Sequence, residues 1–146
     1  MAIQFTPYLS FKDNAREAME YYHSIFGGEL RVSTFKELNA SQDSSEDDLV
    51  MHSALEGENG ITLMASDIPP RMQYQPGTND FGLSLSGDAK DEDRLRTYFD
   101  RLTQGGNVTM PLQKAVWGDT FGMLVDRYGI SWLVNVAAEQ SQQNAA

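Results

Sequence analysis

FTPYLSFKDNAREAMEYYHSIFGG, residues 5–28, reads as one strand followed by one helix, and the same order returns in the second half of the chain. From Phe5 to Phe11 the apolar Phe5, Leu9 and Phe11 alternate with Thr6, Tyr8 and Ser10, the period of two that marks a half-buried strand. Asn14 and Glu17 approximate a capping box. Ala15, Ala18, Met19, Tyr22, Ile25 and Phe26 then recur at offsets of three and four, the apolar stripe of a helix that Gly27-Gly28 ends. Further on, Leu30 to Leu38 reads as a strand and Asn39 to Asp48, with four acidic residues, as a polar and mobile loop. Leu49 to Leu55 and Ile61 to Ala65 flank the turn-rich Glu56 to Gly60 and read as a hairpin. The first half is thus β, α, β, β, β.

Residues 68–79, rich in proline and turn formers, read as a linker. Beyond them Phe81, Leu83 and Leu85 alternate with small polar residues, and Asp91, Glu92 and Asp93 supply the negative charge that suits a helix start. Leu95, Tyr98, Phe99 and Leu102 form a helical stripe closed by Gly105-Gly106. Val108 to Gln113, Thr120 to Val125 and Ser131 to Val136 complete a second β, α, β, β, β series. Leu9-Ser10-Phe11 is echoed by Leu83-Ser84-Leu85, and Gly60-Ile61 by Gly129-Ile130. The expectation is an α+β fold of two βαβββ modules, residues 3–67 and 80–138, forming one domain over 1–138 around a central cleft. A disordered tail is expected over 139–146.

Composition narrows the function. With 146 residues the chain can bury roughly 70% of its unfolded surface and hold its own core. The absence of cysteine excludes disulfide scaffolds, thiolate metal sites and thiol nucleophiles. Its 21 acids against 11 bases give a net charge of -10, which repels phosphate backbones and anionic lipid. Neither a secretory leader nor a long apolar segment is read, so the expectation is a cytoplasmic protein with no nucleic-acid or membrane partner.

Two sets of motifs carry a family likeness. Tyr8-Leu9-Ser10-Phe11, Asn14-Ala15-Arg16-Glu17-Ala18, Tyr21-Tyr22 and Phe26-Gly27-Gly28-Glu29-Leu30 resemble the opening of PhnB-like proteins, often labelled demethylubiquinone methyltransferase-like. Trp117-Gly118-Asp119-Thr120-Phe121-Gly122, Asp126-Arg127-Tyr128-Gly129-Ile130-Ser131-Trp132 and Asn135 resemble the close. One departure is Arg127, where the family commonly has proline, a change expected to alter the turn locally. The resemblance implies the vicinal oxygen chelate fold of the glyoxalase/bleomycin resistance/dioxygenase superfamily, whose members include metal-dependent enzymes and metal-free drug-binding proteins. It implies a homodimer as well. In metal-using members the ligands come from the first and last strands of each module. Those positions here are Thr6, Met64, Asp80 and Leu133, of which Asp80 alone suits a divalent cation.

Candidate binding residues follow from strand phase and from the motifs. Tyr8 and Ser10 lie opposite the large apolar residues of their strand and are expected to face a ligand. His52 can orient a ligand or act as a base, or it can be a structural imidazole among apolar neighbours. Trp117, Asp119 and Phe121 offer an aromatic wall and a carboxylate, or else turn packing with an aspartate on local amides. Asn135 can bond a ligand or pair across the sheet, whereas His23 reads as surface decoration. No phosphate-cradling glycine loop precedes a helix, and the glycine-rich first turn of a cofactor-binding βαβ unit is missing, which argues against methyl transfer. The expectation is a small-molecule-binding protein with no metal and no cofactor. The alternative is a divalent-metal lyase, dioxygenase or conjugating enzyme of the same superfamily.

Overall fold

Leu9 and Phe11 are buried and Tyr8 and Ser10 exposed, as the alternation predicts. The structure, a computed structural model, describes residues 3–75 and 82–138, and the chain divides into two compact units, residues 1–76 and 77–146. In the first unit β1 (Tyr8–Phe11), α1 (Ala15–Phe26), β2 (Glu29–Thr34), β3 (Val50–Glu56) and β4 (Thr62–Asp67) form a four-stranded sheet of order β1-β4-β3-β2. In the second, β5 (Leu83–Gly87), α2 (Glu92–Thr103), β6 (Asn107–Lys114), β7 (Thr120–Val125) and β8 (Ser131–Val136) form a sheet of order β5-β8-β7-β6. The first and last strands of each unit pair in parallel, and the other neighbours are antiparallel. The fold is therefore α+β with two like βαβββ units.

Each helix covers one face of its own sheet. Leu9 pairs with Ala65, Ala65 with Ser53 and Leu63 with Leu55, so these side chains share the face that meets the buried stripe of α1. The equivalent stripe of α2, Leu95, Tyr98, Phe99 and Leu102, meets Leu124, Trp132 and Val134. Burying each such large apolar chain contributes about 1.5–3 kcal/mol, and this drive holds helix to sheet.

Several local expectations are corrected. Phe5 is fully exposed and lies before β1. Pro7 has no N–H to offer, and only its carbonyl joins the ladder, accepting from Met64 N at 3.0 Å. Asn14 makes no side-chain cap; a carboxylate distant in sequence does that work. The buried Asp67 accepts from Ala15 N through Oδ1 and from Val50 N through Oδ2, each at 2.9 Å. The acidic loop is anchored rather than mobile. Glu46 is buried, accepting from Gln42 N at 3.2 Å and pairing with Arg71 Nε at 2.9 Å. Backbone bonds from Phe35 N to Leu49 O and from Lys36 N to Asp47 O close the loop's base.

The repeat also has a different register. Matching hairpins lead into β4 and β8, closed by Gly57 N to Ile61 O and by Asp126 N to Ile130 O, so Met64 corresponds to Leu133. Tyr8 pairs with Met64 and Ser84 with Leu133, which makes Ser84 the counterpart of Tyr8. The Leu9-Ser10-Phe11 and Leu83-Ser84-Leu85 echo is thus displaced by two residues, a shift that leaves every side chain on its own face. Asp80, Phe81 and the expected tail lie outside the described residues.

Two motif elements acquire physical reasons. Gly28 (φ +80°) passes so close to the β3–β4 turn that a Cβ would lie 2.0 Å from Glu56 O, and a Cβ on Gly106 would lie 2.3 Å from Val125 O. Both double glycines thus end in a residue that must lack a side chain. Asp126, also buried, accepts from Tyr128 N at 2.8 Å, Ile130 N at 3.1 Å and Trp132 Nε1 at 2.8 Å. Arg127 donates to Gln104 O at 3.1 Å, tying this turn to the end of α2 through a side chain that proline does not offer.

In urea denaturation, Gly28→Ala is expected to cost about 3 kcal/mol or more. Gly60→Ala, at φ +75° with nothing within 4 Å, should cost about 1 kcal/mol. Equal losses would show that the close approach is unimportant. Asp126→Ala orphans three donors and should cost about 3 kcal/mol or more by the same measurement.

Candidate functional site

The sheet faces opposite the helices carry the candidate residues, and the chemistry of each face follows from its own strand register. On the first sheet, Tyr8 and Ser10 stand beside Met64 and Ser66, with Ala54 across from Met64. His52 joins this face by plain alternation with Ala54, and β3 becomes irregular just before it. Ser33 pairs with His52 but Thr34 with Val50, leaving Met51 as an extra residue. The bulge lets Val50 stay buried while His52, two residues on, is exposed. His52 is therefore at the surface rather than enclosed by apolar neighbours. Tyr8 Oη lies 3.4 Å from His52 Nδ1, with ring centroids 6.0 Å apart, a long contact whose donor and acceptor follow the imidazole tautomer. The face offers a phenol, an imidazole and three serine hydroxyls, those of Ser10, Ser33 and Ser66, to a ligand.

On the second sheet, Phe121, Met123 and Val125 alternate along β7 opposite Asn135, Leu133 and Ser131 of β8. Met123, Leu133, Val125, Ser131, Thr109 and Gly82 line an open, largely apolar trough of about 470 Å³. Trp117 projects from the β6–β7 loop, 60% exposed, and meets Phe121 edge-on with centroids 5.7 Å apart. Asp119 and Asn135 bond each other: Asn135 Nδ2 donates to Asp119 Oδ2 at 3.2 Å, and Ala138 N donates to Asp119 Oδ1 at 3.0 Å. The carboxylate thereby holds the start of β7 to the end of β8. The seven sequence candidates thus fall into two groups, Tyr8, Ser10 and His52 on one sheet and Trp117, Asp119, Phe121 and Asn135 on the other.

The trough was missed in the sequence although half of it was legible there. Met123 is in phase with Phe121, and Ser131 and Leu133 with Asn135. Thr109 had no such signal, because β6 is irregular between Val108 and Met110. Shifted carboxyl groups lie elsewhere. Hydrogen bonds from the Thr34 backbone and side chain hold exposed Glu37 below the usual carboxylate range, and those from the Ser45 side chain and backbone do so for Asp43. His23 Nε2 lies 2.9 Å from Gly28 O at the end of α1, a contact local to that turn.

The metal positions implied by the resemblance do not assemble a ligand set. Met64 and Leu133 offer a thioether and an alkyl chain, and Thr6 a hydroxyl. The corrected register makes Gly82, not Asp80, the counterpart of Thr6. No group of three or more His, Asp or Glu able to hold an ion occurs among the described residues.

Two like βαβββ units, each with a helix behind a mixed four-stranded sheet, define the glyoxalase/bleomycin-resistance fold class. The family model described as 3-demethylubiquinone-9 3-methyltransferase matches residues 3–135, and the chain belongs to that PhnB-like family. It is similar to the protein PA1353 from Pseudomonas aeruginosa, at 34% identity and a TM-score of 0.78, covering 94% of this chain and all of that one. It is 27% identical to a PhnB protein from Bacillus cereus, with a TM-score of 0.68, over 92% of this chain and all of the other. The Escherichia coli protein YjdN is 29% identical across 94% of this chain and 98% of its own. The fosfomycin resistance protein FosX from Listeria monocytogenes shares the fold alone, at 11% identity and a TM-score of 0.61 over 97% of this chain and 99% of its own.

Trp117 is 60% exposed and Trp132 2% exposed, so the two indoles separate by fluorescence. Trp117→Phe is expected to shift the emission to the blue and to cut acrylamide quenching several-fold, with the circular dichroism unchanged. An emission spectrum and quenching constant equal to those of the parent would contradict the exposed placement of Trp117.

Proposed function

We propose that this protein binds a small molecule on the open faces of its sheets without a resident metal ion, acting as a homodimer in the cytoplasm. The observation that carries the reading is the donor set. Where metal-using members of the fold place ligands, this chain has Thr6, Met64, Leu133 and, by register, Gly82. A thioether, an alkyl chain and a bare backbone cannot replace the three or so imidazole or carboxylate donors that such an ion needs. What these faces do offer is half-buried apolar surface with a few hydroxyl, amide and imidazole groups, the makeup of a site that selects by shape and hydrogen bonding.

Tyr8, Ser10 and His52 on the first sheet serve as hydrogen-bonding contacts, and Trp117 and Phe121 on the second as an aromatic wall. Asp119 keeps Asn135 oriented. Methyl transfer finds little support despite the family description. Each sheet has a single parallel pair, at its edge, and the paired glycines follow helices instead of opening them, so a cofactor-binding βαβ unit with a glycine-rich first turn is lacking among the described residues. No helix among them is long and apolar enough to cross a membrane.

Protein purified without chelator should contain far less than one Zn, Ni, Mn or Fe per chain by elemental analysis. A thermal-shift screen of metabolites should find a ligand that raises Tm by roughly 5–10 °C near 100 times its Kd, equally before and after dialysis against EDTA. Stoichiometric metal, or a shift abolished by EDTA and restored by a cation, would replace this reading with that of a metal-dependent enzyme.

A further inference from the structure

The positions of the cations limit what these faces can accept. All 11 Lys and Arg lie within the described residues, since residues 1–2, 76–81 and 139–146 contain none. Two of them belong to strands, Arg31 in β2 and Lys114 in β6; the others sit on helices, bends and turns. Lys114 pairs with Thr120 and so has the phase of the helix-covered side. Arg31 has the phase of the open face, paired with Ala54, but its guanidinium is shared between Glu29 at 3.4 Å and Glu56 at 3.3 Å.

The backbone offers no substitute charge. The first turn of α1 already has Asp67 on Ala15 N, and the turn leading into α2 has Asp88 in a capping box with Asp91. The start of α1 and the short turn before α2, the usual kind of backbone site for an anion, are thus served by the protein's own carboxylates. A phosphate, phosphonate or carboxylate placed on either open face would lose hydration against a chain of net charge -10, with Arg31, already shared between two carboxylates, as the one strand cation in phase. Apart from Arg31 and the two carboxylates it pairs with, the hydrogen-bonding groups in reach are uncharged: Tyr8, Ser10 and Ser66 on the first sheet, Ser84, Thr109 and Ser131 on the second.

From this, and resting on the small-molecule reading above, we infer that the ligand is an uncharged molecule. Its body is apolar and planar enough to lie against Phe121, Met123 and Leu133, it carries hydroxyl or carbonyl groups for the surrounding hydroxyls, and anionic metabolites are rejected. His52 is the sole titratable nitrogen in a strand of either sheet apart from those two cations, and its contact with Tyr8 orients it as a hydrogen-bonding group.

The test uses matched probes sharing one apolar body, naphthalene-1-methanol and naphthalene-1-carboxylate, with methylphosphonate and inorganic phosphate alongside. Binding is followed by calorimetry at low ionic strength and about pH 8. The alcohol is expected to bind with a Kd at least about tenfold below that of the carboxylate, and the two phosphorus anions to give no heat. Ser84→Lys, an exposed position beside Leu133, should narrow or reverse the preference by bringing a cation to the face. An equal or tighter Kd for the carboxylate, or saturable binding of methylphosphonate weakened by salt, overturns the inference and leaves the small-molecule reading intact. If neither naphthalene probe binds and the metabolite screen is also empty, both fall together.

Discussion

Tyr8 to Phe11 lie alongside Met64 to Asp67, and Ser84 to Gly87 alongside Leu133 to Val136, each pair parallel and in unbroken register. Everything else in a unit is local by comparison: a helix following a strand, then three strands joined by antiparallel turns. The parallel contact brings the two ends of the unit together and makes the last strand central and the first an edge. It also decides which residues share a face, because a displacement by one residue would exchange the buried and open sets of the whole strand. Asp67 belongs to the same arrangement. From the end of β4 it holds the first turn of α1 and the first residue of β3, so a carboxylate in the last strand fixes where the helix starts.

The functional consequence is two sheets with one covered and one open face each. On the open faces the polar groups are few and mostly neutral, and the carboxylates close to them already have partners within the fold. Asp119 is bonded to Asn135 and Ala138 N, and Glu29 and Glu56 to Arg31. An arrangement of this kind favours recognition by shape and by a small number of hydrogen bonds over charge-driven capture. A fold does not by itself fix an activity, so the side chains at a few strand positions decide what each face can hold.

How far the candidate site could be read in advance depended on whether its signals were local. Tyr8, Ser10, Phe121 and Asn135 could be assigned to one face of their strands because strand alternation is written in adjacent residues. The bulge that keeps Val50 buried two residues from an exposed His52 was hidden, since a slip between β2 and β3 leaves no mark in the Val50 to Ala54 segment itself. The Asp119–Asn135 bond was half anticipated, as each residue had a reading in which it satisfied the protein's own groups. The burial of Glu46 was missed outright, because a loop with so many acids looks solvated until Arg71, 25 positions later, is seen to pair with one of them.

The order of elements, the two amphipathic helices, the paired glycines and the twofold repeat were all determined by the sequence alone, because each rests on periodicity or turn chemistry within a dozen residues. Tertiary structure alone decided the register of the repeat, the start of β1 after Pro7, the transfer of helix capping from Asn14 to Asp67, and the charge state of the open faces. Each of these depends on a partner brought close by strand pairing from far along the chain, and the energies that choose among such partners come from burial and hydrogen bonding that no local pattern encodes.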